Sequence, residues 1–445
     1  MSPRSHAQPT PAHPPKAPGI LLFVLVATMA IGPIFNYSLG ALSSEVVRTY
    51  GITEGQYGLI ITLLFIIAGG SSIVLGILSD RIPVRLQITL IFLTMVVSFL
   101  VSITAPTYAA LLVAAVFAGP AAALSNPATN RIIAHSVPLR QRGAWMGWKQ
   151  SGVQFGLLFS GLTVPLVGGL AGWTGVAIMC ASVAGVLLVV AWFVITRLQN
   201  SPTEATTRQV LPEDATDATD SGAEPAGAPR PSDTAGPAEA SAGEPQPARL
   251  PLAVWLFAVC SFLNAVGTQG LNAYASLFAV QTVGFPIQLA GLLLAAIGVA
   301  GILSRNAWGR MAGRFARPAA MIKTMSLGGI VGLACLAAVA LWHIPVFLWL
   351  GVLLHAAFPL AANVVINSGV MAVAPRSKIG VASGLVAAGM NFGFAVGPVL
   401  VGFGFDNWNS YLPGWIVLAI MYAACFAVAV WLGRAQRGHG APAVG

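Results

Sequence analysis

Twelve apolar stretches of helical length recur along the chain, and they limit its fold more than any other feature of the sequence. About 20 consecutive apolar residues let a helix cross the ~30 Å hydrocarbon core of a bilayer. The composition agrees, because 56% of the residues are hydrophobic, only 8% are charged and the mean hydropathy is +0.81. The predicted spans are 20–42, 55–78, 86–104, 108–133, 143–170, 174–196, 252–280, 287–309, 320–342, 346–373, 380–405 and 414–432.

The positions of the cations predict how the chain is oriented. A net charge of +9 is also compatible with binding to nucleic acid. If the amino terminus is cytoplasmic, however, every Lys and Arg except Arg48 falls in a cytoplasmic loop or near a cytoplasmic helix end, as the positive-inside rule requires. We therefore expect a multi-pass cell-membrane protein of the bacterial inner-membrane kind, with both termini cytoplasmic. Its surroundings are the lipid bilayer, and nucleic acid is not an expected partner.

Hydrophobic periodicity stops between the sixth and seventh predicted spans. Residues 199–250 are rich in Pro, Ala, Ser and Thr and hold nine of the chain's 13 acidic residues, a composition typical of disordered segments. The segment fits a solvated tether or a docking site for a partner. The predicted organisation is a cytoplasmic tail (1–19), a six-helix bundle (20–198), this linker (199–250), a second six-helix bundle (251–433) and a second cytoplasmic tail (434–445).

The two predicted bundles repeat one another in sequence. Displacing the chain by 237 positions aligns Asn126 with Asn363, Asn130 with Asn367, Pro138 with Pro375, Gly143 with Gly380, Gly147 with Gly384, Gly152 with Gly389, Phe155 with Phe392 and Gly156 with Gly393. The Asn, Pro and Phe pairs make a chance match among glycines improbable. Parallel repeats of this kind mark one large architecture of membrane carriers.

The loop after the second span carries the most specific motif, GILSDRIPVR, from Gly76 to Arg85. Together with the repeat, this motif resembles the major facilitator superfamily over both helical halves. The resemblance implies an all-α integral membrane fold of twelve transmembrane helices in two pseudo-symmetric six-helix bundles. It also implies a conformational latch of Gly76, Asp80, Arg81 and Arg85, in which Asp80 meets amides or cations of the opposite half at the cytoplasmic face. A solvated loop charge is the alternative.

Two cations lie inside predicted spans, where ionisable residues are rare and costly. Lys149 in the fifth span and Arg305 in the eighth each share a helical face with glycines. The resemblance places these spans at the boundary between the halves, so both side chains are expected to face a central cavity and bind an anion. Arg305 and Gly309 further resemble the eighth helix of monocarboxylate and oxalate carriers, in which an arginine binds the substrate carboxylate. Snorkelling to the interface and a gating role are the alternatives for Arg305.

Amide and hydroxyl groups on the first and seventh spans are further candidates, because these spans line the cavity in the carriers that the chain resembles. Asn36, Tyr37, Gln269 and Asn272 are expected to contact the substrate, with interhelical hydrogen bonding as the alternative. The repeated asparagine pairs are expected to serve the structure of both halves. Kinks are expected at three prolines within spans, Pro33, Pro120 and Pro359.

Acidic residues are absent from the deep part of every predicted span. Outside the linker they are Glu45, Glu54, Asp80 and Asp406, all in loops or at helix ends. Export of cationic drugs usually needs a buried carboxylate, so this pattern argues against it. His355 in the tenth span is the candidate proton carrier, with a purely structural hydrogen bond as the alternative.

Other functional classes lack their motifs. Each of the four cysteines stands alone in an apolar segment, so neither a metal site nor a cofactor is expected. HExxH, GxSxG and phosphate-binding loops are missing, which argues against an enzyme, and a sensor or receptor would need an output domain. The sequence predicts a monomeric secondary active transporter that carries a small organic anion, a carboxylate, by alternating access. Multidrug or metabolite efflux is the alternative.

Overall fold

The computed structural model of the protein describes residues 19–79, 82–199, 250–315, 317–375 and 378–438. Within these ranges the chain is helical, and no strand is found there. The helices that matter below belong to one compact unit, Met1–Ile195 with Leu250–Gly445, and Thr196–Arg249 form a separate unit. Most of the predicted linker and of both predicted tails lies outside the described ranges.

The helices follow the predicted spans closely, and the all-α prediction is confirmed. The amino-terminal half contains α1 (Gly19–Ile31), α2 (Ile34–Ala41), α3 (Ser43–Tyr50), α4 (Glu54–Ser79), α5 (Val84–Val101), α6 (Tyr108–Ser136) and α7 (Leu139–Gln199). The carboxy-terminal half contains α8 (Leu252–Val283), α9 (Ile287–Phe315), α10 (Pro318–Trp342), α11 (Pro345–Ala357), a 3₁₀ turn (Pro359–Ala361), α12 (Ala362–Val373), α13 (Ile379–Trp408) and α14 (Leu412–Gly438).

The number of membrane crossings fits the predicted twelve. In the described ranges, 10 helical segments are long and apolar enough to cross a bilayer, and the bent pair α1 and α2 makes up to 11. Helix α7 has 61 residues, which is long enough for two crossings. Its helical geometry is interrupted at Gly172, where φ is 60° and ψ is −163°, a conformation open essentially only to glycine. Counting α7 as two spans gives the twelfth.

Two of the three expected proline kinks are confirmed. Helices α1 and α2 meet at an angle of 54° next to Pro33, and the 3₁₀ turn that begins at Pro359 separates α11 from α12. The reason is that proline lacks the N–H that would continue the helical hydrogen bonds. Helix α6, in contrast, continues through Pro120.

Helix α3 was not among the predicted elements. It is a short amphipathic helix in the loop after the first span, with Val46 buried and Arg48 exposed. Arg48 pairs with Glu45 at 2.7 Å. Because the apolar spans dominate the sequence pattern, eight residues of mixed polarity resemble an ordinary loop.

Glycines bring α7 against α1 in the amino-terminal half. The Cα of Gly152 faces the carbonyl oxygen of Val26, and that of Gly156 faces the carbonyl oxygen of Ala30. A Cβ at either glycine would collide with the backbone of α1. Small residues are thus required here for the two helices to approach closely.

The carboxy-terminal half repeats this contact with the glycines 237 positions further on. Gly389 of α13 faces the carbonyl oxygen of Ala258 in α8, and Gly393 faces that of Phe262. The spacing between the two carbonyl-bearing residues is four in both halves. The sequence repeat is therefore also a repeat of helix packing.

Two equivalent joints connect the halves. A Cβ at Gly58 of α4 would lie 2.7 Å from the carbonyl oxygen of Pro398 in α13. A Cβ at Gly291 of α9 would lie 2.6 Å from the carbonyl oxygen of Gly161 in α7. Since Gly161 and Pro398 are themselves 237 positions apart, the two joints are related by the pseudo-symmetry of the fold.

One end of the bundle is closed by hydrogen bonds between the halves. The hydroxyl of Tyr274 in α8 donates to the carbonyl oxygen of Glu54 at 2.5 Å, and Gln281 Nε2 donates to a carboxylate oxygen of Glu54 at 2.8 Å. The Tyr411 hydroxyl donates to Gln281 Oε1. Burial first, and the nearby charges of Glu54 and Asp406 to a smaller extent, raise the pKa of Tyr411 well above its ordinary value. Tyr411 thus remains a protonated donor at physiological pH.

Asp406, just inside the last turn of α13, caps the first turn of α4 in the other half. Its carboxylate accepts from Thr53 Oγ1 at 2.9 Å and from the Gly55 amide at 3.1 Å. A carboxylate at a helix amino terminus also interacts favourably with the helix dipole. Together, Glu54, Tyr274, Gln281, Asp406 and Tyr411 define what is called the sealed end below.

Replacing Asp406 by Asn should loosen the sealed end, because the charged acceptor for the α4 amino terminus is lost. We expect the population with separated halves to rise several-fold. Distances between spin labels at positions 49 and 409, measured by pulsed electron paramagnetic resonance, would report this change. Cys335, the one cysteine that is not buried, would be replaced by Ala so that it is not labelled. Asn407→Ala is the matched control, since Asn407 Nδ2 bonds only to Phe403 O in its own helix. Identical distance distributions in D406N and the unmodified protein would contradict the role of Asp406 at the sealed end.

Candidate functional site

Arg305 lies in α9 on the face that contacts the other half. One turn earlier on that face, a Cβ at Gly301 would lie 2.7 Å from Gln154 Oε1 of α7. The Arg305 side chain is partly buried. Within the described ranges its guanidinium has no hydrogen-bond or ion-pair partner. Five N–H donors and a positive charge are thus left for a ligand.

Tyr37 of α2 brings the opposite half to the same region. It lies close enough to Arg305 for the two side chains to interact electrostatically. Like Arg305 it is partly buried. Its hydroxyl has no hydrogen-bond partner in the described parts of the chain. A cation from one half and a free phenol from the other therefore lie in the same region of the protein.

The predicted amides lie deeper, and two of them bond to each other. Gln269 Nε2 of α8 donates to Asn36 Oδ1 of α2 at 3.0 Å, and each side chain is 4% exposed. This is the interhelical hydrogen bond that the sequence left open as an alternative. Asn272, one turn further along α8, is 8% exposed, and its Oδ1 is buried without a partner.

Residues between the halves are more exposed at one end of the bundle than around Tyr57 and Tyr274 near the other. Gly147 and Gly384, near the starts of α7 and α13, are exposed. No atom of the described residues lies within 4 Å of where a Cβ would stand at either glycine. Arg305 and Tyr37 are partly buried, whereas Tyr57 and Tyr274 at the sealed end are fully buried. The end with Gly147 and Gly384 is called the open end.

Gln154 is a member of this region that no sequence pattern singles out. It is 1% exposed and its Oε1 has no partner. It lies five residues after Lys149, off the stripe that links that lysine to the glycines of the fifth span. Only the contact of Gln154 with α9 identifies it.

Lys149 is placed within the amino-terminal half rather than on an open surface. Its ammonium group donates to Asn126 Oδ1 at 2.9 Å, to Thr129 Oγ1 at 3.0 Å and to Asn130 Oδ1, all on α6. The side chain is 0% exposed. Its three donors are thus satisfied by three oxygens of the neighbouring helix.

The asparagine repeat has different partners in the two halves. The position equivalent to Lys149 is Val386, so the second pair has no lysine to bind. Asn363 Nδ2 instead contacts Met390 Sδ at 3.1 Å, and Asn367 is exposed. The shared asparagines therefore carry a charge-binding role in the first half alone.

The predicted latch is described only in part. Asp80 and Arg81 lie outside the described residues, and Gly76 forms part of α4. The guanidinium of Arg85 stacks on the ring of Trp192 in its own half, 4.3 Å from the ring centroid. The Asp80 contact with the opposite half therefore stays a prediction.

His355, the candidate proton carrier, lies inside the carboxy-terminal half. It is 0% exposed, its Nδ1 is 3.5 Å from the Tyr422 hydroxyl, and its Nε2 has no partner. The Tyr422 hydroxyl is in turn 3.5 Å from Thr268 Oγ1 of α8. This arrangement is a buried polar cluster between α8, α11 and α14.

Metal ligands do not gather in the described ranges. No group of three or more His, Cys, Asp or Glu side chains that could hold an ion is found there. All four cysteines are free, and three of them are buried.

A separate cavity of about 1010 Å³ lies at the ends of α8, α10, α12 and α14, and Arg317 and Lys323 are among its lining residues. It shares no lining residue with the region around Arg305.

Comparisons with known proteins agree on the architecture. The family model described as Major Facilitator Superfamily matches residues 20–368 and, in an overlapping match, 257–444. A bacterial homologue of the human lysosomal transporter Spinster, solved in an inward-facing and unoccupied conformation, is similar with a TM-score of 0.70 at 14% identity, covering 96% of this chain and 99% of that one. The same homologue in an inward-facing and occupied conformation is similar with a TM-score of 0.63 at 15% identity, covering 94% of this chain and 95% of that one.

A second solved protein has the same fold. The nucleoside transporter NupG is similar with a TM-score of 0.63 at 14% identity, covering 94% of this chain and 99% of that chain. At such identities the likeness concerns the fold. The likeness extends over almost the whole of this chain.

Lys149→Met should destabilise the fold, because Asn126, Thr129 and Asn130 would lose the donor that they share. An unsatisfied buried polar group costs about 1–3 kcal/mol, so a lower thermal midpoint in detergent is expected. Lys323→Met, at the start of α10, is the control and should leave the midpoint near that of the unmodified protein. An unchanged midpoint with lost anion binding would instead assign Lys149 to the substrate, as the sequence first suggested.

Proposed function

Because the chain belongs to the Major Facilitator Superfamily, we propose that it carries a small organic anion with a carboxylate group across the membrane by alternating access. Membership in this family makes it a multi-pass membrane transporter. The observation that supports an anionic substrate is the guanidinium of Arg305, which has no partner in the described ranges. It belongs to the face of α9 that packs on Gln154 of the other half through Gly301.

An unpaired arginine within a membrane span needs an anionic partner. A charge in a medium of low dielectric constant is costly unless it is paired and hydrogen-bonded. The acids of the described ranges cannot supply this partner, because Glu45 pairs with Arg48 and both Glu54 and Asp406 bond at the sealed end. A carboxylate from solution matches the planar fork of a guanidinium with two parallel hydrogen bonds.

Groups from both halves would surround the bound anion. Tyr37 offers a free hydroxyl beside Arg305, and the bonded pair Asn36 and Gln269 lies deeper, towards the sealed end. The unpartnered Oδ1 of Asn272 offers a further acceptor. Because these groups belong to both halves of one chain, a monomer suffices to form the site.

The charge distribution supports a cytoplasmic location for the open end. Arg131, Arg142, Arg310, Arg314, Arg317 and Lys378 lie at helix ends on that side. Arg48 is the cation of the described ranges on the side of the sealed end. By the positive-inside rule both termini are cytoplasmic in the cell membrane, the bacterial inner membrane being the proposed location. The conformation described is then open to the cytoplasm.

Proton coupling has two routes in this proposal. The carboxylate of the substrate could itself carry the proton, or His355 could accept it at Nε2. His355 is fully buried within one half, so the second route requires a path for protons to reach it. The Asp80 latch would stabilise the alternate conformation, as the family resemblance implies.

Efflux of uncharged metabolites or drugs is the second candidate. The amides between the halves support it, because they suit a neutral polar solute, and the similar fold of NupG belongs to a nucleoside transporter. Arg305 distinguishes the two candidates, since a neutral solute would leave its charge unpaired.

Arg305→Gln should weaken anion binding by about 10- to 100-fold, because hydrogen bonds to charged groups contribute about 1.5–3 kcal/mol. Uptake of labelled lactate, succinate, benzoate, uridine and ethidium into proteoliposomes would measure this, with binding followed by thermal stabilisation. Arg305→Lys should keep part of the affinity. Arg310→Gln, an exposed cation in the same helix, is the matched control. An anion affinity in R305Q equal to that of the unmodified protein would contradict the proposal. Transport of uridine without transport of any of the anions would contradict it as well.

A further inference from the structure

We infer that Gln154 is a specificity-determining residue of the Arg305 site and selects carboxylates that bear a hydroxyl next to the carboxylate. This inference rests on the proposed function and narrows its substrate class to hydroxycarboxylates.

The side-chain amide of Gln154 is buried and unsatisfied among the described residues. It is 1% exposed, its Oε1 has no hydrogen-bond partner, and none of the described residues bonds to its amide. Leaving such a group unsatisfied is destabilising. Natural proteins satisfy nearly all buried polar groups, and this amide keeps an acceptor that a ligand can use.

Gln154 packs on the face of α9 that also carries Arg305. A Cβ at Gly301 would lie 2.7 Å from Gln154 Oε1 and 3.0 Å from its Cδ. Gly298, one turn earlier, packs on the backbone of Gln154 and Leu158. The amide therefore occupies the space that a larger residue at position 301 would fill.

The Arg305 side chain is expected to lean back along α9 towards Gly301. Side chains of a helix lean towards its amino terminus, and residues i and i+4 share one face. Arg305 thus extends over the turn of Gly301, which is the level at which the Gln154 amide lies. A guanidinium and an amide, neither with a partner among the described residues, therefore lie along the same face of α9 and at the same level.

These two groups together describe the ligand. The guanidinium takes a carboxylate through two N–H donors. The amide oxygen accepts a hydrogen bond and so requires a donor close to that carboxylate, which a 2-hydroxyl group supplies. A carboxylate without the hydroxyl would leave Oε1 unsatisfied. Sites built to bond a substrate hydroxyl discriminate strongly against the analogue that lacks it.

The experiment compares matched pairs of acids that differ by one hydroxyl. Glycolate and acetate, lactate and propionate, malate and succinate, and mandelate and phenylacetate would each be titrated against the purified full-length protein. For each pair that the protein binds, we expect the hydroxy acid to have a Kd at least about tenfold lower than that of the plain acid. A tenfold step corresponds to about 1.4 kcal/mol. Gln154→Met, which is close in shape, should bring that ratio to about one.

Controls separate this inference from the proposed function. Gln288→Leu, at an exposed position of α9, should keep the full ratio, and Arg305→Gln should weaken both members of the pair. Gly301→Ala provides a second test, because its Cβ would displace the Gln154 amide and should lower the ratio with Gln154 intact. A ratio that persists in both Q154M and G301A would overturn the inference and leave anion transport standing. Binding of no acid by the unmodified protein would overturn both.

Discussion

Close contact between glycine and main-chain carbonyl groups is the interaction on which the rest of this structure depends. Within each half such contacts join α7 to α1 and α13 to α8, and between the halves they join α4 to α13 and α9 to α7. Apolar burial cannot drive helices together in lipid, which is itself apolar, so close packing has to do so. The sealed end and the Arg305 region are both positioned by these joints. Gly58 lies one turn from Glu54, and Gly291 begins the face that leads to Arg305.

Most of the fold could be predicted from the sequence. Span length, the repeat at 237 positions and the breaks at Pro33 and Pro359 all follow from local chemistry, namely the thickness of the bilayer and the missing N–H of proline. Helix α3 was missed because its eight residues carry no long apolar run. The exact course of α7 was also out of reach, since one glycine decides whether two adjacent spans are separated by a loop or a sharp break.

The site was less predictable because a helical stripe shows which residues share a face but not what that face meets. Lys149 and Arg305 have the same signature of a cation among glycines. Yet the Lys149 ammonium is bound by three oxygens of α6, and Arg305 has no partner in the described ranges. Gln154 gave no periodic signal at all. Its lack of a partner is a property of three-dimensional contacts, which periodicity does not report.

The joints between the halves also bear on how such a carrier can diversify. Gly58 and Gly291 pack against carbonyl oxygens and against the side chains of Tyr274 and Pro165, and every residue type presents the same carbonyl group to its neighbour. Cavity-lining side chains other than these two can therefore be exchanged while the joints between the halves are kept. A chain of this design can acquire a new solute through a few substitutions around α2, α7, α8 and α9 while its pivot is inherited unchanged.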